Sequence, residues 1–167
     1  MLPTEDGTRE MLPELERFLE VSGLLARREI SGYAPDPHPE ARAYAGCSFL
    51  LTGTDGVGTR TVFRSAKTTP TKPGLFVTLW KRDNQEETRP YTPADGIDEF
   101  QIAASTDLGY GFFTFTAGNL AEHGVLSTAS KPGKRGFRLY TPWDTGLNAN
   151  AEKSRHWQRS YFTVVNG

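Results

Sequence analysis

The sequence predicts an α+β fold, a central and mostly antiparallel sheet with helices at both ends of the chain packed on it. Three observations predict it. Apolar residues near the start recur at three- and four-residue spacings, the repeat of one helix face. From about residue 47 the period changes to two, the repeat of strands, and the strands bunch in the middle of the chain. The dipeptide Asp55-Gly56 separates two such runs, the strongest short-range hairpin signal. At 167 residues the chain suits one domain, 1–167, since two halves would each be short of core.

Taken in order, Met11, Leu12, Leu15, Phe18, Leu19 and Leu25 mark an amphipathic helix over 9–25, with Ser22-Gly23 as an early stop. Ser31-Gly-Tyr-Ala-Pro-Asp-Pro-His-Pro is turn-rich and precedes a short helix at 39–46. Two strands follow, Ser48 to Gly53 and Thr59 to Lys67, then the clearest strand of all, Gly74 to Arg82. A polar loop over 83–98 leads to strands at 100–104 and 110–115. The remainder reads as a helix near 117–123, a strand near 136–140, a helix at 148–158 and a last strand from Tyr161.

Several classes drop out on composition. Cys47 is the single cysteine, so no intrachain disulfide framework exists and a reducing compartment is expected. The start, Met1-Leu-Pro-Thr-Glu-Asp, has neither a basic nor an apolar leader region. No run approaches the roughly 18 apolar residues of a membrane span. A cytoplasmic, non-membrane protein is the expectation.

Net charge is only −1, but its distribution is uneven. Residues 1–50 hold nine acids against five arginines, whereas 130–161 hold seven bases against two acids. Two stretches interleave cations with planar rings. In the first, Arg64, Lys67 and Lys72 lead into a strand on which Phe76, Thr78, Trp80 and Arg82 share one side, with Leu75, Val77, Leu79 and Lys81 on the other. In the second, glycines flank Lys134-Arg135, Arg138 and Tyr140 share a strand face, and Trp143 follows Pro142. Cations neutralise phosphates and rings stack on bases, so DNA or RNA is the expected partner. Arg64, Lys67, Lys72, Lys81, Arg82, Lys134, Arg135 and Arg138 are the candidate phosphate contacts, and Trp80, Tyr140 and Trp143 the candidate stacking surfaces. Trp157, on the last helix, reads as core.

These stretches carry a resemblance. Phe63-Arg-x-Ala-Lys-x-Thr-Pro-x-Lys-x-Gly-x-Phe-Val-Thr-Leu-Trp-Lys-Arg, then Lys134-Arg-Gly-Phe-Arg-x-Tyr-x-Pro-Trp-Asp, then Trp157-Gln-x-x-Tyr161-Phe resemble the MepB-like proteins, over about residues 40 to 162. That family is bacterial and named for a gene beside a multidrug-efflux operon. The resemblance implies a cytoplasmic α+β protein that binds nucleic acid on a nuclease-like scaffold. It carries over no enzymatic activity, and the acidic first helix is the part that matches least.

Enzymatic readings find thin support in the residues. A metal-dependent phosphodiester hydrolase needs acids that hold magnesium or manganese, often backed by a lysine. Glu40 is the candidate acid and Lys67 or Lys72 the candidate lysine, yet no acid-x-lysine pair occurs on the central strands. Asp95, Asp98 and Glu99 read as turn formers. One Cys and three scattered His lack zinc spacing, so no metal site and no cofactor is expected outside the nuclease alternative. A third reading is a small-molecule-binding regulator linked to drug efflux. Whether catalysis occurs and how many copies associate are not legible.

Overall fold

The computed structural model describes residues 11–82, 85 and 87–165. Residues 9 and 10 of the expected first helix, and residues 83, 84 and 86 of the expected loop, lie outside them. Helix α1 runs Pro13–Ser22, buries Leu15, Phe18 and Leu19, and stops where Gly23 turns left-handed at φ +71°. Strand β1 (Arg28–Pro35) and β2 (Cys47–Gly53) pair antiparallel around the single-turn helix α2 (Pro39–Arg42). Across the Asp55-Gly56 turn, β2 pairs with β3 (Gly58–Ser65), with Gly56 at φ +81°.

The chain then leaves this sheet. Strand β4 (Lys67–Thr68), β5 (Leu75–Thr78), β6 (Trp80–Arg82) and β7 (Thr88–Pro90) form before it returns as β8 (Glu99–Thr106) and β9 (Gly109–Thr116). Helix α3 (Ala117–Glu122), strand β10 (Gly136–Leu139), helix α4 (Ala149–Gln158) and strand β11 (Phe162–Val165) complete the order. The large sheet has the order β1-β2-β3-β8-β9-β11, and a smaller one β10-β5-β4, while β6 pairs with β7.

All pairs in the large sheet are antiparallel except β3 with β8. A parallel pair needs a crossover of a dozen residues or more. Here residues 66–98 supply it, and their described residues form the small strands and a 3-10 turn at Pro93–Asp95 rather than an α-helix. Both faces of the large sheet are therefore covered. Val62, Ile102 and Phe113 point into one core with Leu75, Val77, Leu79, Phe137 and Leu139 of the crossover side. Their chain neighbours Phe63, Ala103 and Phe112 point into a second core under α1, as the two-residue pleat requires.

Four expectations need correction. The turn-rich segment 31–39 contains most of β1, an edge strand that tolerates Pro35 and takes up Gly32 (φ +63°) at a register irregularity between Ser31 and Ala34. The expected helix over 39–46 is one turn. The strand expected from Gly74 to Arg82 breaks at Leu79, whose amide donates to the Arg135 carbonyl before β6 turns to a different partner. The expected loop 83–98 contains β7. No helix among the described residues is long and apolar enough to cross a membrane.

Candidate anion-binding surface and pocket

The two basic segments meet. In the small sheet Arg138 lies opposite Phe76, and Phe76 opposite Lys67. Leu75, Val77, Phe137 and Leu139 take the inner face, so Lys67, Phe76 and Arg138 share the outer one. The Phe76 ring lies over Gly136, where an added Cβ would come within 2.6 Å of its Cζ. Tyr44 extends the row: its ring is 6.4 Å from that of Phe76 and lies under the Lys67 Nζ at 5.1 Å, a cation–π contact.

The two arginines here are held by neutral oxygens. Arg138 donates from Nη2 to Thr69 Oγ1 (2.8 Å) and to the Pro73 carbonyl (3.1 Å). Arg135 donates to the Thr88 carbonyl and hydroxyl. Lys67, Lys72, Lys134, Arg135 and Arg138 pair with no carboxylate among the described residues. Lys72 borders a cleft of about 500 Å³ that also takes in Trp143, Asp107 and Asp144. Trp143 is half-buried there, its Nε1 donating to Thr106 Oγ1 at 3.1 Å.

Other expected contacts are placed elsewhere. Lys81 forms an ion pair with Asp95. Burial alone would raise the Asp95 carboxyl, but hydrogen bonds from Lys81 and Thr92, with the Lys81 charge, hold it below its ordinary value. Trp80 and Tyr140 were expected as stacking surfaces but are 5% and 9% exposed, so neither ring has a face open to a base. Tyr140 is pressed against Gly74, whose φ of +81° makes the turn into β5. In their place, Tyr44 and Phe76 are the rings beside the cations. The alternation of β5 could have identified Phe76; nothing in the sequence marked Tyr44, which arrives from the α2–β2 connection. Trp157 stacks on His123 and packs against the core.

Arg64 departs most from expectation. It is only 2% exposed. Its Nη1 donates to the Phe63 carbonyl at 2.9 Å and its Nη2 to that of Trp80 at 3.5 Å, while Nε has no partner. No carboxylate neutralises it among the described residues. The backbone is shaped around it: a Cβ on Gly46 would stand 3.2 Å from the Arg64 Cζ and 3.0 Å from the Ala41 carbonyl oxygen. Next to Gly46, Ala45 holds a left-handed φ of +53°, a conformation that costs an alanine about 1 kcal/mol.

Arg64 lines a pocket of about 350 Å³ with Asp36, His38, Cys47, Arg82 and Tyr91. The Arg82 guanidinium lies 5.4 Å from the centre of the Trp80 ring, and the His38 ring packs on the same indole. Burial pushes the Cys47 thiol up to about 12, with the Arg64 charge pulling the other way, so it is a neutral wall and not a nucleophile at neutral pH. Glu40 is exposed on α2, and no group of three or more His, Cys, Asp or Glu among the described residues could hold a metal ion.

A family model for MepB-like proteins matches residues 38–164. The chain belongs to the MepB-like family. A crystal structure of MepB is similar to it at a TM-score of 0.76 and 27% identity, covering 94% of this chain and 99% of that one. No curated protein matches. The MepB-like match takes in the α2–β2 connection, the small sheet and the Arg64 side of the pocket, and leaves α1, β1 and Asp36 outside.

Proposed function

We propose that this MepB-like protein binds single-stranded nucleic acid on the outer face of the small sheet. One observation carries the reading: two segments about 60 residues apart are hydrogen-bonded into one sheet and place Lys67, Phe76 and Arg138 in a single row. Among the described residues these cations have no carboxylate partners, so an incoming phosphate displaces counterions rather than protein ion pairs. Phe76 and Tyr44 supply the apolar surface on which bases stack. A flexible strand suits a face with half-buried rings, because its bases turn outward to reach them.

The test is fluorescence anisotropy with a labelled oligonucleotide of mixed sequence. Phe76→Ala is expected to weaken binding by about 1–3 kcal/mol. The triple variant Lys67→Ala, Lys72→Ala, Lys134→Ala is expected to weaken it similarly on different sequences. An unchanged affinity in both variants, with the fold intact by circular dichroism, refutes the reading.

A further inference from the structure

We infer that the Arg64 pocket is a separate subsite for a terminal phosphate monoester, of a strand end or of a free mononucleotide. The inference deepens the nucleic-acid reading for a strand end, but the free-nucleotide source stands without it.

A guanidinium removed from water is costly unless its charge and donors are satisfied. Arg64 is met by two neutral carbonyls, and its Nε–H is unused. The fold nevertheless holds it in place with a glycine at close approach and a left-handed alanine beside that glycine. Such uncompensated cost points to a ligand that supplies the missing anion. The guanidinium fork matches phosphate oxygens in particular. Among the described residues the pocket lining also includes Arg82, His38 and one carboxylate, Asp36. The Cys47 thiol adds no negative charge.

The depth of Arg64 selects the kind of phosphate. An internal phosphodiester has two ester arms, and both must leave the site. Arg64 is almost wholly covered, so a group with one arm and three free oxygens is the better fit. At about 350 Å³ the pocket falls at the small end of ligand sites. It is also close to the sheet surface: the Tyr44 ring faces Lys67 and Phe76, and Gly46, two residues on, backs Arg64.

The experiment compares one single-stranded 12-mer with a 5′-phosphate, with a 3′-phosphate, or with hydroxyls at both ends, using AMP and inorganic phosphate as competitors. One phosphorylated form is expected to bind at least about tenfold tighter than the hydroxyl form. Arg64→Met is expected to bring it down to the hydroxyl form's affinity. Because that variant removes a buried side chain, Ser48→Glu provides a second route: Ser48 lines the pocket and is partly exposed, and its carboxylate would occupy the anion's place. Ser48→Glu is expected to abolish the preference as well.

Competition by AMP or phosphate against the phosphorylated strand shows that both sources use one site. Binding of AMP, lost in both variants, without binding of any oligonucleotide upholds the pocket and refutes the strand-binding reading. Equal binding of all three oligonucleotides together with no binding of AMP or phosphate, or a preference that survives Arg64→Met and Ser48→Glu, overturns the inference and leaves the strand-binding reading standing.

Discussion

Arg64 and Cys47 are neighbours with opposite electrostatic problems. The arginine has no carboxylate partner among the described residues, and the thiol stays neutral because burial resists the thiolate. Replacing buried ionic groups by apolar side chains of similar volume is neutral or stabilising by up to about 4 kcal/mol. Arg64→Met is accordingly expected to unfold in urea at a midpoint no lower than the unmodified protein's, although it loses anion binding. For Cys47 the sign follows from a folded pKa of about 12 above the ordinary 9.0. Its contribution is fully present below pH 9 and is lost as pH rises towards 12. Tyr110, raised by burial against the pull of Arg17, acts in the same direction. Cys47→Ala is expected to make the decline of stability between about pH 9 and 12 shallower, measured by thermal unfolding across that window.

Among the elements, β10 depends on a side chain that behaves like backbone. Gln158, buried at the end of α4, accepts from the Tyr140 amide at 2.9 Å and donates to the Arg138 carbonyl at 2.9 Å. It satisfies the free edge of the strand that carries Arg138. Gln158→Leu leaves both groups unpaired, and each costs about 1–3 kcal/mol when buried. A loss of about 2 kcal/mol or more is expected in urea unfolding, together with weaker oligonucleotide binding. The break between β5 and β6 matters on the same scale. Had the strand run unbroken from Gly74 to Arg82, Trp80 would have shared the outer face with Phe76. The turn at Leu79 sends the indole inward, between His38 and Arg82.

At the scale of the molecule, the β3–β8 crossover decides where the charge collects. It carries Lys67, Lys72 and Phe76 off the large sheet and lays them beside β10. Lys67 and Arg138 lie on the outer face of the small sheet, and with Lys72, Lys134 and Arg135 the same two segments hold five cations without carboxylate partners among the described residues. For a single strand the slope of log K against log salt is about −0.7 per phosphate neutralised, so about −3.5 is expected if all five engage. Affinity should then fall about a hundredfold between 50 and 200 mM salt. A slope near zero in an anisotropy titration would show that this face does not bind phosphates.

The sequence alone determined what depends on local pattern. Period-two runs placed most strands, Asp55-Gly56 placed the hairpin, Ser22-Gly23 placed the end of α1, and three spaced motifs pointed to the family. Tertiary structure decided what local pattern does not encode. Strand β1 was hidden because its pairing with β2 outweighs the turn residues within it. Arg64 reads in sequence like any strand-borne cation, and only the closure of β2, β3, β6 and the α2–β2 connection around it takes it out of water. Charge and aromaticity are properties of residues, whereas exposure and pairing depend on what long-range packing brings beside them.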